Sequence, residues 1–299
     1  MPLVTIDEPP TAAAPSRLPA LPVRARRSGR PRSDRIGTVL SHLVMILLGL
    51  FALVPVFWML FGSLRSPADI FAGTPPIHPD LANYRDALST LPWNQLVFKT
   101  VAMAVGVSLG QLLTGLLAAY AFSCWKFRGE RALFLLIVAT WLVPLQVTIL
   151  PNYVLLARLG LLNSVAGVIL PQISSAFAVL LLRQHIKGFP GELLEAARLD
   201  GRSSWSILWR VIVPSLGPAL AALEILLFVN AWNEYFWPLI VFNEPGSVLQ
   251  IGIANLLNAD AADYGGLMAA SSLATLPILL LYLLLRRRVV NAFARSGMR

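Results

Sequence analysis

Apolar residues in this chain fall into six long blocks, separated by shorter polar or proline-rich stretches. Five blocks carry no formal charge, namely Ile36–Leu64, Thr100–Trp125, Ala132–Ala157, Leu159–Leu182 and Tyr264–Leu285. The remaining block joins Val211–Leu223 to Ile225–Asn233 and is interrupted by Glu224. A helix needs about 20 apolar residues to cross the hydrocarbon core of a bilayer. The pattern therefore predicts an all-α integral membrane protein with six transmembrane helices.

The same pattern sets the expected boundaries. We place the spans at about residues 36–62, 97–125, 131–157, 161–184, 212–242 and 264–286, inside a transmembrane domain of residues 36–290. Residues 1–35 are rich in Pro and Arg and predict a disordered tail, and residues 291–299 predict a short second tail. The rival reading of the first block as a cleaved signal is disfavoured, because such signals carry only about 7–15 apolar residues.

Three connections are predicted on the outer side, the shortest of them Thr148–Asn163. Prolines interrupt the loop 65–95, which leaves room for a short surface helix within Asp80–Leu88. The stretch Phe242–Asp263 contains no Lys or Arg and is predicted to be the last outer loop.

Charge reinforces the membrane interpretation and gives it a direction. Only 13% of the 299 residues are charged, whereas soluble domains carry about 25%. Of the 24 Lys and Arg residues, 20 lie before span one, between spans two and three, between spans four and five, or after span six. The positive-inside rule then places both termini in the cytoplasm. The net charge of +9 is thus a topology signal and not a nucleic-acid footprint.

Catalytic and metal chemistry find no support in the sequence. The single cysteine, Cys124, excludes an intrachain disulfide, and the three histidines lack metal-ligand spacing. No Ser, Asp and His arrangement suggests a nucleophile, so we expect no enzyme activity and no directly bound cofactor. A phosphate-binding loop of the form G-x-x-x-x-G-K-[ST] is also missing from the sequence, so this chain cannot bind ATP in that way itself.

One polar connector, Gly188–Pro218, has a designed pattern. Strong helix formers over Glu192–Asp200 are followed by Asp200-Gly201, a stop-and-turn signal, and Ser203 is placed to cap a second helix. Apolar groups occur on both sides of the first helix, which suits burial between two protein surfaces. An amphipathic helix resting on the membrane is the alternative.

The connector resembles the EAA loop of ABC importer permeases. Glu195-Ala196-Ala197, three further residues, Gly201, nine residues and then Val211-Ile212-Val213-Pro214 match the family pattern E-A-A-x3-G-x9-I-x-L-P, with Val in place of Ile and Leu. Other matching stretches resemble the carbohydrate importers of the maltose type, closest to their G-type subunit. They are Ala118–Phe122, Pro144–Val147, Leu159–Asn163, Trp232–Leu239 and Leu267–Ala270.

This resemblance implies a type I (MetI-like) permease fold in a bacterial inner membrane. It implies a coupling loop, residues 188–214, that docks on an ATPase subunit: Glu195 pairs with a group there, Ala196 and Ala197 allow close packing, and Gly201 permits the turn. Asp200 and Pro214 complete this set of residues. The implied partners are a second permease subunit, two ATP-binding subunits that carry ATP and magnesium, and an extracytoplasmic solute-binding protein. The implied function is binding-protein-dependent uptake of a carbohydrate or polyol.

Polar residues within the fifth span are the candidates for the pathway. Ionisable groups in a bilayer are costly and are functional candidates by default. We expect a pathway or gate role for Asn230, Trp232, Asn233, Glu234 and Tyr235, and a solvated or paired role for Glu224. Two alternatives of other classes are an ion-coupled secondary transporter and a polytopic membrane enzyme.

Overall fold

A computed structural model describes residues 32–66, 69–70, 79–243, 247–258 and 263–296. Every regular element in these ranges is a helix. The chain divides into two units, Met1–Leu53 and Val54–Arg299. The described part of the first unit is the beginning of one helix, and the other elements belong to the second unit. Most of the predicted N-terminal tail, up to position 31, lies outside the described residues.

The helices follow one another with short connections. In chain order they are α1 (Arg32–Gly62), α2 (Ala82–Thr90), α3 (Trp93–Cys124), α4 (Glu130–Thr140), α5 (Leu145–Arg158), α6 (Val165–Ile169), α7 (Ala176–Lys187), α8 (Gly191–Leu199), α9 (Ser204–Ile207), α10 (Val213–Ser215), α11 (Gly217–Trp232), α12 (Phe236–Val241), α13 (Leu249–Asn258) and α14 (Tyr264–Ser296). A 3-10 turn at Leu170–Gln172 extends α6, and a π-helical turn at Leu208–Ile212 joins α9 to α10.

Three stretches are long and apolar enough to cross a membrane as single helices, namely Gly37–Gly62, Trp93–Cys124 and Tyr264–Leu284. Two bent pairs of helices are also long and apolar enough to cross a membrane when each pair is counted as one crossing. They are Val165–Gln172 with Ala176–Lys187, bent by 50°, and Ser204–Ser215 with Gly217–Trp232, bent by 81°. The described residues thus supply three to five crossings, so six crossings and cytoplasmic termini stay predictions.

The third predicted span, residues 131–157, is divided in the structure. Its residues form α4 and α5, and the chain between them turns through Trp141–Pro144. Pro144 adopts an extended conformation, with φ −62° and ψ 138°, immediately before α5. Proline lacks the N–H group that a continuous helix needs, which explains why one apolar block becomes two helices.

The bend between α6 and α7 leaves backbone carbonyls without donors from their own helix. Side chains of α3 supply the missing donors. The Gln111 amide donates to the carbonyl of Gln172 at 2.8 Å, and the Thr114 hydroxyl donates to that of Ile173 at 2.7 Å. An irregular backbone inside a membrane persists only when its polar groups are satisfied by the protein. These two side chains therefore stabilise the bend.

Small residues on α3 allow α6 and α7 to approach it closely. Gly106 lies against Ile169, and Gly110 lies against Ile173. One helical turn further on, a Cβ atom on Gly115 would lie 2.8 Å from the Cβ of Ala178. Glycine faces of this kind bring membrane helices into backbone contact.

Buried side chains form two clusters. The first gathers Trp232, Trp237 and Leu249 around the beginning of α3. The second gathers Tyr120, Leu182 and Leu208 around its end, together with Ala197 from α8. Helix α3 contributes to both clusters and is the element around which the second unit is built.

The stretch predicted to be the last outer loop contains a helix that the sequence analysis did not identify. This helix, α13, lies within Phe242–Asp263. Leu249, Ile251 and Leu256 are buried in the first cluster, and the N–H group of Leu249 donates to the Thr100 hydroxyl at 2.9 Å. The helix is too short to signal a span, so its apolar residues are explained only by packing on α3 and α14.

Gly115→Val tests the close approach of α3 and α7. The larger side chain overlaps Ala178, and overpacking of this kind costs about 1–3 kcal/mol. We expect a lower midpoint of thermal unfolding in detergent. Gly49→Val is the control, because a Cβ atom at Gly49 meets nothing within 4 Å. Equal midpoints for the two variants would contradict the packing described here.

Candidate functional site

The connector between α7 and α11 folds as a helix, a turn and a second helix. Pro190 precedes α8, and Asp200 ends it. Gly201 then adopts the left-handed conformation expected from the sequence, with φ 73°. The turn closes through a bond of 3.2 Å from the N–H group of Arg202 to the carbonyl of Ala197. Only glycine adopts this backbone conformation without steric cost.

One face of helix α8 packs against the rest of the chain, and the opposite face is exposed. Ala197 is 6% exposed and Leu194 is half-buried, and both pack on the second cluster. On the other face, Glu195, Ala196 and Leu199 are exposed, and Leu199 retains 89% of its accessible surface. Leu199 is thus an apolar side chain, next to the charged groups of α8, that the described part of the chain leaves uncovered.

The second half of the connector leads into the membrane. Ser203 caps α9 as predicted, since its hydroxyl accepts from the N–H group of Ser206 at 3.3 Å. The π-helical turn that follows buries Leu208 and Ile212. Pro214 lies in α10, just before the 81° bend into α11. The segment Ser204–Ser215 is thus bent away from the axis of α11.

The candidate pathway residues surround a second break, between α11 and α12. Asn233 ends α11, and its side-chain amide donates to the carbonyl of Val229 at 2.8 Å. One Glu234 carboxylate oxygen accepts from the N–H groups of Phe236 and Trp237, both at 3.1 Å. Glu234 therefore satisfies two donors at the beginning of α12, which have no helical acceptor.

The five predicted pathway residues do not share one surface. Trp232 is 1% exposed and belongs to the first cluster, and Glu234 is half-buried. Asn230, Asn233 and Tyr235 have exposed side chains. A pathway role for the set stays a prediction, and those three exposed residues are the ones that another molecule can reach in this structure.

Glu224 is paired inside the bundle. The Ser108 hydroxyl on α3 donates to one carboxylate oxygen of Glu224 on α11, at 2.7 Å. The other oxygen is buried and has no hydrogen-bond partner among the described residues. Between helices in a membrane, such a bond holds two segments together.

Two further polar residues escaped the sequence analysis. The Gln250 amide donates to the carbonyl of Trp232, at the end of α11. Arg183, near the end of α7, forms an ion pair of 3.4 Å with Glu130. Neither residue belongs to a motif. The sequence signal that could have identified each was its position as a polar residue beside an apolar segment.

Comparison with known proteins decides the family. The family of binding-protein-dependent transport system inner membrane components matches residues 111–295. The chain belongs to this family. It is the permease subunit of a binding-protein-dependent ABC importer, which leaves the ion-coupled alternative without support.

Several relatives match the permease over most of its length. It is 30% identical over 272 residues to the arabinooligosaccharides transport system permease protein AraQ of Bacillus subtilis, covering 89% of this chain and 96% of that protein. It is 30% identical over 280 residues to the sn-glycerol-3-phosphate transport system permease protein UgpE of Rhizobium meliloti, covering 89% and 98%.

A solved structure shares the fold of the permease. A chain of a bacterial ABC transporter involved in the import of the acidic polysaccharide alginate superposes with a TM-score of 0.71 at 25% identity. The match covers 86% of this chain and 98% of that chain. The helices described above therefore form the type I ABC permease fold that the resemblance implied.

Substitution of Glu234 tests its role at the helix break. Glu234→Leu removes both bonds to the beginning of α12, and loss of a cap costs about 1 kcal/mol or more. Glu234→Gln keeps one side-chain oxygen as an acceptor and is expected to stay close to the wild type. Thermal unfolding of the detergent-purified permease measures both. If the two variants are equally destabilised, charge and not capping is the important property.

Proposed function

We propose that this permease carries a carbohydrate or polyol across the bacterial inner membrane, driven by ATPase subunits that dock on α8. The exposed face of α8 is the observation that supports it most strongly. Leu199 and Leu193 project from a helix that also carries Glu192, Glu195 and Arg198. Such charge opposes burial of the helix in hydrocarbon, and the exposed apolar groups beside it suit contact with a protein partner.

The distribution of charge on α8 disfavours the alternative in which the helix rests on the lipid surface. A surface-lying helix separates an apolar face from a basic polar face. Here Leu199 lies one turn after Glu195 on the same exposed face. Acidic groups beside the apolar anchor oppose binding to an anionic membrane and suit a groove with basic donors. Glu195 is the residue placed to meet such a donor, with Ala196 giving room for close contact.

The rest of the assembly follows from the family and its relatives. In this proposal two ATP-binding subunits carry ATP and magnesium, a second permease completes the pathway, and an extracytoplasmic binding protein delivers the substrate. Both termini lie in the cytoplasm, and the chain crosses the bilayer six times. The relatives' names support the substrate class, since they transport arabinooligosaccharides, lactose and sn-glycerol 3-phosphate.

Side chains near the break between α11 and α12 suit this substrate class. Asn230 and Asn233 offer amide groups, and Tyr235 offers an aromatic face and a hydroxyl, all exposed in the single chain. Sugars present hydroxyls together with apolar ring faces, so hydrogen-bonding and aromatic groups recognise them in combination. We therefore assign these three residues to the pathway and Trp232 and Glu234 to its support.

Leu199→Asp tests the docking surface. The tagged permease is extracted from native membranes in mild detergent, and the ATPase subunit that accompanies it is quantified. Loss of a central apolar anchor costs about 2 kcal/mol, so we expect recovery to fall about tenfold or more. The side chain is exposed in the free subunit, so the fold itself has no reason to change.

Leu81→Asp is the matched control, because Leu81 is also exposed but lies before α2, at the other end of the bundle from α8. It is expected to retain the ATPase. Full recovery of the ATPase with Leu199→Asp would exclude this face of α8 as the docking surface.

A further inference from the structure

We propose that Tyr120 is a positioning residue that transmits movement of the docked α8 to the membrane-spanning α3. The inference rests on the proposed function, since it needs an ATPase that moves α8. Its basis is a hydrogen bond between the end of α3 and the chain just after α8. The Tyr120 hydroxyl donates to the backbone carbonyl of Ser204 at 2.9 Å.

The surroundings of Tyr120 make this bond a stiff connection. The residue is 5% exposed, and its ring packs edge-on against Trp125, with centroids 4.8 Å apart. Ala197 of α8 and Ile207 of α9 belong to the same buried cluster. Both helices of the connector thus contribute to the buried cluster that surrounds the end of α3, and the hydrogen bond joins the connector to α3 directly.

A second connection holds the same part of α3. The Arg183 guanidinium donates to the carbonyl of Phe122 at 3.3 Å, pairs with Glu130 at 3.4 Å, and lies 4.0 Å from the centroid of the Phe134 ring. Arg183 belongs to α7, which directly precedes α8. The segments before and after α8 are therefore both attached to the last turns of α3.

These attachments matter because α8 is flanked by weak points. Gly188 lies before it, and Gly201, with its left-handed backbone, lies after it. Without the attachments, a force on α8 would be absorbed by rotation at these positions. With them, the displacement passes to α3, whose other contacts stabilise the bend at α6 and α7 and pair with Glu224 on α11. Coupling of this kind travels through rigid elements joined by packed contacts.

The chain contains its own reporter for the test. Cys124 is its single cysteine, ends α3, is partly buried and packs against the same cluster as Tyr120. The complete complex is purified with its ATPase subunits, and N-ethylmaleimide labelling of this subunit is followed by mass spectrometry, with and without ATP plus vanadate. ATP hydrolysis and the amount of co-purified ATPase are measured on the same samples.

Tyr120→Phe removes only the hydroxyl and keeps the packed ring. In the wild type we expect the labelling rate of Cys124 to change about fivefold on trapping nucleotide, and in the variant we expect almost no change, because one hydrogen bond corresponds to about that factor. ATPase binding and hydrolysis are expected to persist in the variant. Arg183→Gln, which loosens the second attachment, is expected to reduce the nucleotide-dependent change in the same direction.

Tyr282→Phe is the control, since Tyr282 is 50% exposed on α14 and belongs to neither buried cluster. A nucleotide-dependent change that persists in Tyr120→Phe would overturn the inference, as would a wild-type labelling rate that nucleotide leaves unchanged. A wild type that brings down no ATPase would instead refute the proposed function. The amount of co-purified ATPase therefore separates the two failures.

Discussion

Inside a bilayer, every backbone N–H and C=O group that leaves a helical ladder needs another partner from the protein, and this constraint shapes the whole second unit. Helices end near Gln172 and Trp232, and another begins at Leu249. Side chains of α3 supply the partners at two of these places. Gln111 and Thr114 do so beside Gln172, and Thr100 does so at Leu249. Helix α3 remains unbroken over 32 residues, so it can serve as the common reference for the broken ones.

Properties carried by local sequence were predictable. The left-handed turn at Gly201 and the cap at Ser203 depend on residues that lie next to each other in the chain, and the long apolar blocks directly indicate helices in a membrane. The division at Pro144 and the helix α13 were not predicted. Pro144 is a local signal, but Pro55 and Pro277 lie within continuous helices, so a proline alone does not show where an apolar block divides. Helix α13 depends on burial of Leu249, Ile251 and Leu256 against other helices, and this information is not present in the segment itself.

The roles of the polar residues in the fifth span could also not be predicted from the sequence alone. The sequence places Trp232, Asn233 and Glu234 in a membrane and so makes them functional candidates. In the structure, the side chains of Asn233 and Glu234 form hydrogen bonds with backbone groups at the end of α11 and the beginning of α12, and Trp232 is buried. A polar group in a membrane helix has two possible uses, contact with substrate or maintenance of an irregular backbone. Sequence alone does not distinguish between them, whereas hydrogen-bond partners do.

A helix that satisfies the irregular backbone of its neighbours is also suited to move them. If α3 shifts, the carbonyls bound by Gln111 and Thr114 must follow or lose their partners. Each unsatisfied polar group in hydrocarbon costs about 2 kcal/mol or more. The bend at α6 and α7 is therefore tied to the position of α3 more firmly than apolar packing alone would tie it. Because Tyr120 and Arg183 attach the connector to the same helix, the constraint that holds the broken spans in place also gives α8 a mechanical path to them.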